Sequence, residues 1–150
     1  MPRTSSQNVL FVGESSGDDE HEPPGASIAC RIERDLRAQG YSPSPIDNWR
    51  DCGWSIDLTV GEAALQITLA STTQEKLWMV QVTCLNDPGL VARFFGKRFV
   101  DRSGEVFQLA SAIHDVLQSS GCRDIRWCLD GYPDDGESMP EPVLPKQQAS

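Results

Sequence analysis

Three runs of strict alternation between residues 53 and 84 constrain this chain more than any other feature. In GWSIDLTV, Trp54, Ile56, Leu58 and Val60 alternate with Ser55, Asp57 and Thr59. Leu65, Ile67 and Leu69 then alternate with Gln66 and Thr68, and Trp78, Val80, Val82 and Cys84 with Met79, Gln81 and Thr83. A period of two places every second side chain on one face of a pleated strand. Gly61–Glu62, between the first two runs, is a Gly-X pair suited to a II′ hairpin, and the polar STTQEK joins the second to the third. The expectation is an antiparallel meander with one apolar face and one half-wet face.

A sheet with one apolar face needs a cover, and two segments offer one. Ile28, Ile32 and Leu36 recur every fourth residue after Pro24, with Gly40 as a left-handed stop. Val106, Leu109, Ala110, Ile113, Val116 and Leu117 form one stripe in a second helix from about Ser103, taken as its N-cap, to Ser120, with Gly121 as its stop. NVLFV (8–12) and DIRWCL (124–129) read as a first and a last strand. The predicted fold is an α+β two-layer sandwich, a mainly antiparallel sheet with two helices packed on one face, in the order β-α-β-β-β-α-β.

At 150 residues the chain is expected to form one domain over 8–131, with a disordered N-terminus at 1–7 and a disordered, acidic, Pro-rich tail at 132–150. The formal net charge of -9 is local rather than spread. Glu14, Asp18, Asp19, Glu20 and Glu22 lie in a loop at 14–24, and Asp130, Asp134, Asp135, Glu137 and Glu141 near the tail; the other 12 acids face 13 bases. Such segments repel phosphate backbones, which disfavours nucleic acid and favours a protein partner of basic character. No run is long enough for a membrane span and the start lacks the regions of a signal peptide, so a cytoplasmic protein is expected. Five cysteines, an odd number without C-x-x-C spacing, read as reduced thiols.

The stretch GESSG, Gly13 to Gly17, matches the G-x-S-x-G turn that presents a nucleophilic serine. In a hydrolase reading Ser15 is the nucleophile and His114 its base. An elbow, however, needs a helix to begin at once, and DDEHEPPG intervenes with negative charge that opposes an oxyanion. His114, beside Phe107 and Ala110 on its helix, is expected to be structural. GESSGD also resembles the G-E-A-S-G-D stretch near the front of lipid A disaccharide synthases, over six residues, and no property is carried over from that family. No nucleotide-loop or zinc-protease motif occurs, and no cofactor or metal is expected.

The expected function is therefore that of a small, acidic, non-catalytic protein-binding module. Its contact residues are expected in the acidic loop, at Glu14, Asp18, Asp19, Glu20, His21 and Glu22, and at Trp49, an exposed contact candidate between a turn and the first meander strand. The element order resembles that of the chaperones of type III secretion, which wrap an unfolded segment of their effector; the charge is also that of immunity proteins that neutralise basic toxins. The serine hydrolase using the Gly13–Gly17 turn is the alternative from another class. In DPGLVARFFGKRFVDR, basic and aromatic residues interleave, and the aromatics are expected to anchor the connection to the core.

Overall fold

The computed structural model describes residues 3–15, 23–88, 92, 94–133 and 137–145. The elements are β1 (Gln7–Val12), α1 (Ala26–Ala38), β2 (Asp47–Trp49), β3 (Gly53–Val60), β4 (Ala63–Ser71), β5 (Leu77–Cys84), α2 (Ser103–Ser119) and β6 (Arg123–Leu129). They form the predicted α+β sandwich: a six-stranded sheet of order β2-β3-β4-β5-β1-β6, every pairing antiparallel, with both helices on one face. The meander occupies β3, β4 and β5 in full register, Ile56 opposite Ile67 and Ile67 opposite Val82. Gly61 has φ +59°, the positive first position that a II′ turn requires.

β1 lies between β5 and β6, with Val9 opposite Val80 on one side and Trp127 on the other. It is therefore an interior strand, and it brings Val9 and Phe11 into the core beneath the helices. Ile28, Ala29, Ile32 and Leu36 of α1 and Val106, Leu109, Ala110, Ile113 and Leu117 of α2 close that core. Each such Ile or Leu contributes about 1.5–3 kcal/mol on burial, and the helices and sheet depend on one another for it. Both helices end alike. Tyr41 N donates to Leu36 O and Gly40 N to Arg37 O, while Cys122 N donates to Leu117 O and Gly121 N to Gln118 O. With Gly40 at φ +100° and Gly121 at φ +78°, these are Schellman ends, which satisfy carbonyls the helix leaves unpaired.

Three local features go beyond the sequence reading. β2 is a three-residue edge strand paired to β3, too short and too polar to show a period. Ser103 is the first helical residue rather than the cap: Asp101 Oδ1 accepts from Ser103 N, and the Ser103 hydroxyl accepts from Ser5 N. Residues 3–6 and 137–145, which the sequence places outside the folded domain, are hydrogen-bonded to it. Thr4 bonds Asp87 through both its N and its hydroxyl, Ser6 N donates to Asp130, Met139 exchanges two backbone bonds with Trp127 of edge strand β6, and Val143 N donates to Gln7 Oε1. Exposed edge groups and short polar side chains supply this attachment without an apolar run.

Candidate functional site

The root of the acidic segment is held by two tryptophans. The Trp78 indole N–H donates to Gly13 O at 3.0 Å where β1 ends, and the Trp54 indole N–H donates to Pro23 O at 3.1 Å where the chain returns. Gly25 then enters α1 at φ +105° against the Trp78 ring, with an added Cβ only 2.8 Å from it. Between these ties, Glu14 pairs with Lys76 at 2.9 Å, and hydrogen bond and charge together hold the Lys76 ammonium above the ordinary lysine value. Ser15 Oγ and Ser27 Oγ, 2.7 Å apart, share a hydrogen bond. Asp18, Asp19, Glu20, His21 and Glu22 lie outside the described residues.

Ser15 and His114 are not joined by a hydrogen bond among the described residues. His114 is 7% exposed, on the inner side of α2, and its Nδ1 accepts from the Trp127 indole N–H at 3.1 Å. Because an indole nitrogen only donates, Nδ1 is unprotonated and the neutral ring carries its proton on Nε2. A serine-hydrolase histidine is wired the other way, with Nδ1–H toward a carboxylate and Nε2 toward the serine. Trp49 stands half-buried on edge strand β2, with the Arg50 guanidinium 5.2 Å from its ring centroid. None of the five cysteines is in a disulfide. Burial pushes the Cys84 and Cys122 thiols up, and at Cys122 the Arg31 charge opposes that rise.

Two features have no counterpart in the expected site. In the connection from β5 to α2, Phe94 and Phe95 are 86% and 78% exposed, with ring centroids 5.6 Å apart and planes at 86°. Their helical turn stops at Gly96, φ +90°, where Lys97 N donates to Ala92 O. The aromatics thus point away from the core they were expected to anchor. Beside them a hollow of about 520 Å³ is lined by Asn86, Asp87, Lys97, Arg98 and Arg102. The sequence shows the interleaved Arg and Phe residues; only the structure shows which way they face.

The second feature is a cleft of about 390 Å³ at the end of β1, between the start of α1 and the end of α2. It takes residues from 12–14, 27–34 and 116–123, segments that no local spacing connects. Gly13 lets Cys122 close one wall, since a Cβ there would lie 3.2 Å from Cys122 Sγ. Among the described residues no helix is long and apolar enough to cross a membrane, and no group of three His, Cys, Asp or Glu side chains is placed to hold a metal. Comparison with protein families, with curated proteins and with solved structures finds no match to this chain.

Proposed function

We propose that this protein is a non-catalytic protein-binding module whose contact is centred on Phe94 and Phe95. The observation that carries the reading is their exposure: two adjacent phenylalanines, 86% and 78% exposed. Phenylalanine in water is unfavourable by about 1.5–3 kcal/mol relative to burial, and aromatic side chains are enriched at the buried centres of interfaces. Lys97 and Arg98 follow after Gly96, so the partner best matched is a protein with an apolar pocket rimmed by carboxylates. The acidic residues at 14–22 and 130–141 additionally favour basic groups on the partner, the character that the sequence alone suggests.

The test is copurification from the native host at low salt, comparing the natural chain with a Phe94→Ser, Phe95→Ser variant. A partner recovered in stoichiometric amount with the former and lost with the latter is the expected result. Equal recovery by both chains, or none by either, overturns the reading.

A further inference from the structure

The cleft at the end of β1 plays no part in that contact, and its lining combines an apolar floor with a cationic rim. Val12 and Ile28 line the floor, above the buried Ile32, Val116 and Leu117. The charged residues that line it are Arg31, Arg34, Arg123 and Glu14, in a chain whose formal net charge is -9. Glu14 is already held by Lys76 at 2.9 Å. Asp35 stands between Arg31 Nε at 3.7 Å and Arg34 Nε at 3.6 Å, so one carboxylate is shared by two guanidinium groups. Arg123 has no ion pair among the described residues. Among the described residues the rim therefore keeps an excess of positive charge.

The helices add to that field. α1 borders the cleft with its N-terminal turns, and its first turn holds no acid to offset the positive end of the helix. The opposing end of α2 is muted, because Val116 O accepts from Ser120 N at 2.9 Å, Ser120 Oγ at 2.7 Å and Ser119 Oγ at 3.1 Å. An apolar floor under a guanidinium rim selects one chemistry: a hydrocarbon body ending in an anion.

We propose that this cleft binds a small amphipathic carboxylate, with its aliphatic chain over Val12, Ile28 and Cys122 and its carboxylate at the rim formed by Arg31, Arg34 and Arg123. Guanidinium groups hold carboxylates through paired, charge-assisted hydrogen bonds, and about 390 Å³ is the size of a small-molecule site. Each methylene seated on the floor strengthens binding about fourfold. The inference is independent of the protein-binding reading, since it uses other residues on another part of the fold.

Decanoate is the probe, titrated below its micelle concentration and followed by amide shifts in ¹⁵N-labelled protein. The expected result is saturable shifts at Gly13, Ile32 and Cys122, affinity rising from hexanoate to decanoate, and a roughly tenfold loss in each of Arg31→Gln and Arg123→Gln. Arg31 and Arg123 are exposed, so these variants keep the fold. Decanoate is also expected to slow alkylation of Cys30 and Cys122, which line the cleft, and not of Cys52, which lies in the turn before β3. The proposal is overturned by decanol binding as tightly as decanoate, by acetate producing the same shifts, by unchanged affinity in both arginine variants, or by alkylation rates indifferent to decanoate.

Discussion

Trp127 donates its indole N–H to His114 Nδ1 at 3.1 Å inside the core, with ring centroids 6.2 Å apart. Trp127 belongs to the edge strand and His114 to α2, so this buried polar bond ties the helix to β6. It also sets the histidine tautomer. Long-range ¹H–¹⁵N correlation spectra of the neutral imidazole are expected to show an unprotonated Nδ1 and a protonated Nε2. Trp127→Phe leaves Nδ1 buried without a donor and is expected to cost about 1–3 kcal/mol in urea unfolding. A protonated Nδ1 in the neutral ring, or an unchanged midpoint, contradicts the assignment.

Gly53 opens β3 where an added Cβ would lie 2.0 Å from Leu69 O of β4. No side-chain rotation relieves a clash with backbone, so Gly53→Ala must displace the β3–β4 pairing. A loss of about 3 kcal/mol or more is expected, above the usual range for overpacking by one methyl group. Gly104→Ala, where a Cβ meets nothing within 4 Å, serves as the comparison and is expected to be neutral or stabilising.

The two indole ties at the root of the acidic segment act separately. Trp54→Phe frees Pro23 O and Trp78→Phe frees Gly13 O. Each is expected to cost about 1 kcal/mol for the bond, and to speed proteolysis near residues 13–25. The Trp78 change should be the larger of the two, because its ring also packs on Gly25 and in the core. Protease digestion at a fixed temperature, compared with the natural chain, reads both.

The Cys122 thiol is pushed up by burial and pulled down by the Arg31 charge. A raised thiol has less thiolate at a given pH, so alkylation of half-buried Cys122 is expected to be slow at neutral pH and to speed up as pH rises. Arg31→Gln removes the opposing charge and should slow Cys122 further. Faster modification of Cys122 in that variant contradicts the assignment.

Much of the fold is legible in the residues because the signals are local. Ile56, Leu58 and Val60 alternate for a strand, Ile28, Ile32 and Leu36 repeat for a helix, and Gly40 and Gly121 stop the helices where a positive φ is needed. The place of β1 between β5 and β6 is not legible, since Val9 meets Val80 and Trp127 across long loops and no period records such a pairing. The site is harder still. Ser27, Arg31, Cys122 and Arg123 meet only after both helices have packed, and the outward direction of Phe94 and Phe95 depends on one turn ending at Gly96. The indole bonds of Trp54 and Trp78 are likewise invisible in a pattern that marks both residues simply as apolar.

The central claim, a protein contact centred on Phe94 and Phe95, is tested most directly by a photo-crosslinking amino acid placed at position 94 in the native host. Position 118, an exposed glutamine on α2, serves as the control. The protein-binding account predicts one discrete adduct from position 94, absent from position 118 and lost when Lys97→Glu and Arg98→Glu reverse the flanking charge. No adduct from position 94, or the same adducts from both positions, would contradict it.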